Sequence, residues 1–242
     1  NINVAIKAFL ERPLLGYGMN NFIIPYNKFV IPSQITTWEM DNAHNIFLHI
    51  LSTGGILTLL TYLYLMFLYC LDSIISFYNS SEFVTRGEFG VYVKPLLKNH
   101  PFIQAFEWVP RIDYSEREGF ENITRALGYA EFHIFASSGP SDMKQEYFPV
   151  HYSEPLPGNE QALGFDLTSD PQLLRLTNTA RDTGRAVSAS RFGPVPNARS
   201  QSDLIILAPF YNGGKNPERT EERREHLKGF VLGIYRVQDM ID

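Results

Sequence analysis

The sequence predicts an α+β domain with an antiparallel sheet and helices to one side, preceded by a mainly helical segment that holds one membrane-crossing helix. Three observations predict it. Charge is unevenly spread: Asn1 to Leu71 carries three Lys/Arg and three Asp/Glu, whereas the remainder carries eighteen and twenty-three. Between Ala43 and Leu71 there is no formally charged side chain, and ILTLLTYLYLMFLYCL (56–71) is almost wholly apolar. Beyond Leu71 the apolar period switches repeatedly between helical and strand spacing, in the order helix, strand, helix, strand, strand, helix, strands, which is the pattern of an α+β fold.

Taken in order, VAIKAFLERPLLGYG reads as a short amphipathic helix stopped by Pro13, followed by a loop with Gly16, Gly18, Pro25 and Pro32. About 20 apolar residues at 1.5 Å per residue cross a bilayer core of about 30 Å, so the uncharged run is read as a transmembrane helix. Its apolar character runs right round, and Tyr62, Tyr64, Tyr69 and Tyr78 recur where interfacial aromatics sit. EFGVYVKPLLKNH has helical spacing, and FIQAFEWVP alternates like a half-buried strand. YSEREGFENITRALG is read as an amphipathic helix with Phe120, Ile123 and Leu127 on one face and Gly128 as its stop. AEFHIFA, QEYFPVHY, SDLIILAPFY and LKGFVLGIYRV read as strands, and PQLLRLTNTARDTG as a helix with Pro171 in its first turn and Gly184 at its end.

Composition excludes several function classes. The net charge of −5 and the mixed-sign run EERR at 221–224 argue against nucleic acid as a partner. The single cysteine, Cys70, allows neither a disulfide framework nor a thiolate metal site. His100, His133 and His151 have no ligand-spaced partners, so no metal and no cofactor is expected. Gly16 and Gly18 lack the third glycine and preceding strand of a dinucleotide loop, and the serines of SASRFG lack the setting of a nucleophile.

The blocks HPFIQAFEWVPRI, REGFE, YFPVHYSEP, NEQALGFDLTSDP, ARDTGRAVSASRF, LAPFY and GFVLGIYRVQDMI resemble, in that order, a CHASE domain over residues 72–242. The resemblance implies an extracytoplasmic ligand sensor with a PAS-like antiparallel sheet, flanked by membrane helices that form a homodimer and followed by a histidine kinase or diguanylate cyclase output domain. Its ligand would be a small molecule. The plant members hold an adenine-type hormone through an aspartate, and Leu173 stands at the matching position, so cytokinin recognition is not expected.

Polar residues inside apolar strands supply the candidate ligand contacts: Arg111, Tyr147, Tyr152, Glu154 and Asp166. Arg111 either pairs internally, with Glu107, Glu154 or Asp166, or grips a ligand carboxylate or phosphate. Asp166 either contacts ligand or braces the turn into the next helix, and Arg181 and Thr183 are expected to bind that helix's last carbonyls.

FLERPLLGYGMNNF and DNAHNIFLHILSTGGI resemble the C-terminal part of the O-antigen ligase and polymerase family over residues 1–71. That resemblance implies a bacterial inner-membrane setting, in which the CHASE resemblance makes the sensory part periplasmic. It makes His44, in its His-Asn pair, the weak catalytic candidate, since an imidazole can take up a proton near neutral pH. The cationic groups that a lipid-linked pyrophosphate donor needs are missing, and Asp41, Asn42 and Asn45 serve equally as a helix cap. A glycosyltransferase fragment is therefore the alternative to the sensor, and a protein-interaction module the second. The two resemblances put the helix exit on opposite sides of the membrane, so the chain is expected to join two pieces that did not evolve as one.

Overall fold

The computed structural model describes residues 2–18, 21–30, 45–79, 84–136, 139–140, 144–190, 203–214 and 216–236. The chain divides into two compact units, with the division between Tyr69 and Cys70.

The first unit is helical. Helix α1 (Ile2–Glu11) ends ahead of Pro13, and α2 (Ile23–Phe29) forms where the sequence suggested a loop. The glycines and Pro25 hid it, because a seven-residue helix with Tyr26 and the preceding Phe22 buried against Val4, Ala5 and Leu48 is held by tertiary contact. Helix α3 runs from Ile46 to Asn79, with Asn45 Oδ1 accepting from Phe47 N at 2.9 Å and Leu48 N at 3.1 Å as its cap. Gly55 interrupts α3 at φ 71°, ψ −176°, a conformation open to glycine. The helix carbonyls freed there are taken by the Pro13–Gly18 loop: Tyr17 N donates to Ser52 O at 3.1 Å and Gly18 N to Thr53 O at 2.7 Å.

From Ile46 to Tyr78 this helix is long and apolar enough to cross a membrane, with mean hydropathy 1.8 over its best window. Past the Gly55 break, the unbroken stretch from Ile56 to Tyr78 measures about 35 Å at 1.5 Å per residue, against about 30 Å of hydrocarbon. The unbroken part is therefore long enough to span a bilayer. Leu57, Leu60, Tyr64, Leu65 and Tyr69 are exposed, whereas Cys70, Leu71, Ile74 and Tyr78 are buried.

The second unit is the α+β domain. After α4 (Arg86–Asn99), which opens on a capping box between Thr85 and Glu88, come β1 (Ile103–Pro110), β2 (Ile112–Asp113) and α5 (Arg117–Ala126). The short strands β3 (Phe135–Ala136), β4 (Gly139–Pro140), β5 (Glu146–Tyr147) and β6 (Tyr152–Glu154) follow. Then come α6 (Pro171–Thr183), β7 (Val187–Ser190), β8 (Asp203–Tyr211), α7 (Thr220–His226) and β9 (Leu227–Arg236). Five strands form one antiparallel sheet in the order β6-β1-β9-β8-β7, so the first and last long strands are neighbours.

Alternation along β1, β8 and β9 gives this sheet two apolar faces. On one face Ala105, Val109, Ile205, Leu207, Phe230, Leu232 and Ile234 pack with Phe148, Phe165, Leu167, Leu173 and Ala180. On the other, Trp108, Phe210 and Tyr152 meet Tyr78 and Phe89 of α3 and α4. A sheet covered on both faces carries helices on both, where the sequence suggested one side.

Helix α6 forms as read: Asp170 caps it by accepting from Gln172 N and Leu173 N, Pro171 fills the first turn, and Gly184 ends it at φ 67°. The strands expected over 130–136 and 145–152 shrink to two- and three-residue pieces, because Phe148 to His151 spend backbone bonds on Phe165, Gly164 and Trp108 instead of a ladder. The buried face of α5 also differs from its apolar spacing: Thr124 is buried, while Ile123 and Leu127 are 63% and 61% exposed. Thr124 Oγ1 donates to Phe120 O at 2.8 Å, so its polarity is met inside the helix.

Candidate functional site

The five expected ligand contacts fall into two groups, because the sheet separates them. Tyr147, Asp166 and Arg111 belong with the layer over the α6 face. Tyr152 and Glu154 stand opposite Trp108 and Phe106 on β1 and turn toward α4.

Asp166 is the centre of the first group and is fully buried. Its N–H donates to Phe135 O at 2.9 Å, it forms an isolated bridge with Pro149, and it caps the Leu167–Ser169 turn. Its Oδ1 accepts from Phe148 N at 3.1 Å, Thr168 N at 3.1 Å and Thr168 Oγ1 at 2.8 Å. Its Oδ2 takes one bond, from Lys144 Nζ at 2.8 Å, and Lys144 also donates to Thr168 Oγ1 at 3.1 Å. A buried carboxylate needs such partners, so the turn-bracing role expected from the sequence is present. Tyr147 is wholly buried beside Ile112, Phe132 and Ile134. Its hydroxyl accepts from Lys144 N at 3.2 Å, and the Arg117 guanidinium lies 4.8 Å over its ring.

Arg111 pairs with a carboxylate, but with Glu146 rather than Glu107, Glu154 or Asp166: Nε lies 2.7 Å from Glu146 Oε2. The reason is register. β2 and β5 place Asp113 opposite Glu146, which brings Glu146 beside the residue preceding β2. Arg111 Nη1 also donates to Arg224 O at 2.9 Å. Around this pair lies a cluster that spacing does not reveal. Arg181 reaches Glu146 at 3.8 Å and Asp182 at 2.8 Å, and Arg224 grips both Asp182 oxygens at 3.0 and 2.7 Å. The Arg224 guanidinium holds the Asp182 carboxyl well below the usual carboxylate range. Arg181 thus binds side-chain carboxylates rather than the last helix carbonyls, whereas Thr183 Oγ1 does donate to Thr179 O at 2.6 Å.

The second group is a contact with α4. Tyr152 stacks on His151 at 4.1 Å, and its hydroxyl donates to Val84 O at 3.4 Å; burial pushes that phenol up to about 12. Glu154 lies against Gly90, whose missing Cβ makes room for the carboxylate, and 4.0 Å from Lys94 Nζ. His151 itself is boxed by Phe120 and Phe132, with Nε2 3.3 Å from Thr124 Oγ1, and burial lowers its pKa to about 4. Sequence reasoning set His151 aside as a satisfied histidine; its ring lies between α5 and β6. A further buried pair, Glu107 and Ser153, faces the α6 layer with Ser153 Oγ donating to Glu107 Oε1 at 3.3 Å. The inward parity of FEWV was the available signal. His44 lies outside the described residues.

Comparison with known proteins divides the chain in the same order. A family model described as CHASE domain matches residues 82–242, and one described as O-Antigen ligase matches residues 1–63. A hybrid signal transduction histidine kinase A from Dictyostelium discoideum is 26% identical over 170 residues, which covers 65% of this chain and 8% of that protein.

Proposed function

The chain belongs to the CHASE-domain family, and we propose that residues 72–242 sense a small molecule outside the cytoplasm on behalf of a membrane-bound signalling receptor whose output domain lies in other sequence. Residues 1–71 are then an O-antigen ligase-like membrane segment, and the setting is a bacterial inner membrane. The observation that carries the reading is the division of labour between the two sheet faces. One face is sealed by a layer that buries polar groups, among them Asp166, Glu107 and Ser153. The other receives the end of a helix long enough to cross a membrane.

On this reading the sheet is PAS-like, and the ligand enters on the α6 side. Arg111, Tyr147 and Asp166 are the contacts assigned to it, each exchanging an internal partner for a ligand group. Tyr152 and Glu154 belong to the α4 side and pass the change on. A ligand shifts the helices only by binding two arrangements with different affinity, and a homodimer through the flanking helices would turn that shift into output.

The test is a thermal-shift screen of metabolites on the full chain in nanodiscs. A ligand at 100 times its Kd adds about 2.7 kcal/mol. Arg111→Ala and Asp166→Asn should each abolish the shift produced by a hit. A hit whose shift survives both variants would overturn the site, and a full metabolite set without a hit would overturn the small-molecule reading.

A further inference from the structure

Tyr78 is the last residue of the membrane-length part of α3, and its packing leaves one group without a partner. The ring is 7% exposed and stacks on Trp108 at 4.3 Å and 26°. The edges of Phe89 and Phe210 close around it at 6.2 and 5.8 Å. Its hydroxyl is buried and makes no hydrogen bond among the described residues. Phenylalanine would fill the same ring site without burying an orphan hydroxyl, so the tyrosine costs stability in this arrangement.

Phe89 joins Tyr78 to Tyr152, its ring 6.2 Å from the first and 6.0 Å from the second. The Tyr152 hydroxyl spends itself on one long bond to Val84 O, 3.4 Å. The phenols of Tyr78 and Tyr152 thus share a single weak hydrogen bond. Upstream on α3, Cys70, Leu71 and Ile74 are fully buried, so the last three turns of the helix form the seat.

We propose that Tyr78 is the residue that couples the sheet to the membrane helix, and that the arrangement described is one of two positions of α3 on the sheet. In the second position, α3 is displaced along its axis so that the Tyr78 hydroxyl bonds to that of Tyr152 and Cys70 leaves its buried seat. The orphan hydroxyl destabilises the first position and keeps the second within reach; the Tyr78 and Trp108 stack opposes it. This rests on the reading of the domain as a sensor that acts through α3, but not on the identity of any ligand.

Cys70, the one cysteine of the chain, reports the exchange through its rate of maleimide labelling in the full chain in nanodiscs. Tyr78→Phe removes only the hydroxyl and should raise Tm and slow labelling about fivefold or more, the factor expected for one buried polar group. Tyr152→Phe should also slow labelling, since it removes the partner that the second position gains. Trp108→Leu should speed it. An unchanged or faster rate in Tyr78→Phe overturns the proposal, as do faster labelling in Tyr152→Phe and labelling that slows only in proportion to the urea-unfolding free energy, since deleting an orphan hydroxyl stabilises the fold whether or not a second position exists. A metabolite screen without hits overturns the ligand reading and leaves these rates as they are, so the two failures are distinguishable.

Discussion

Removing charge from Asp166 tests whether the layer over the sheet is organised by one buried carboxylate. Asp166→Asn keeps an acceptor for Phe148 N, Thr168 N and Thr168 Oγ1 but turns an amide toward the Lys144 ammonium. Breaking a buried pair costs about 3–5 kcal/mol. Lys144 is 29% exposed and can turn to water, so we expect about 2 kcal/mol. Asp166→Ala also orphans two buried backbone N–H groups at about 1–3 kcal/mol each, which takes the loss to about 4 kcal/mol or more. Lys144→Met leaves Oδ2 of a fully buried carboxylate facing no cation, at about 3 kcal/mol. Combined with Asp166→Asn it should recover about 2 kcal/mol of that cost. Urea unfolding of the full chain in detergent, followed by near-UV and far-UV circular dichroism, measures these values where the two probes coincide. Asp166→Asn within about 0.5 kcal/mol of wild type, or Asp166→Ala no worse than Asp166→Asn, would refute the reasoning.

Two further outcomes follow from buried or constrained groups. His151 is held neutral, its pKa lowered from 6.5 to about 4 by burial, so the unfolded chain binds the extra proton between those values. Its contribution is intact above about pH 6.5 and is lost as pH falls toward 4. At 1.36 kcal/mol per unit the loss is about 3 kcal/mol. His151→Gln should flatten the stability profile in that window, and an unaltered slope would rule the histidine out as its source. Gly164 sits at φ 86° with its absent Cβ directed onto the His133 carbonyl oxygen. Gly164→Ala should therefore cost about 3 kcal/mol, or about 6–12 °C in Tm, and a loss below about 1 kcal/mol would show that the Phe135 to Phe165 turn relaxes freely.

The two-part division of charge, the apolar helix and α6 with Pro171 in its first turn and its Gly184 stop were legible, since each rests on residues close together in the chain; the Asp170 cap came only with the structure. α2 was not, because its stability comes from Phe22 and Tyr26 meeting α1 and α3. Nor was the rotation of α5, where Ile123 and Leu127 satisfy helical spacing yet face solvent, and Thr124 turns inward to meet His151. Apolar period names a face, but the neighbour that covers a face is set elsewhere in the chain.

The same distinction runs through the candidate site. Local pattern alone picked out Arg111, Tyr147, Tyr152, Glu154 and Asp166 as polar groups needing partners, and the structure gives each of them one. It took the tertiary structure to decide which partners. Register between β2 and β5 gave Arg111 to Glu146, and register between β1 and β6 turned Tyr152 and Glu154 toward α4 rather than toward Asp166. Asp182 and Arg224 meet across 42 positions of sequence. Sequence thus determined which residues are polar inside apolar elements, because desolvation cost is a property of the side chain. Which side of the sheet each one faces follows from strand pairing, and a shift of one residue would have reversed it.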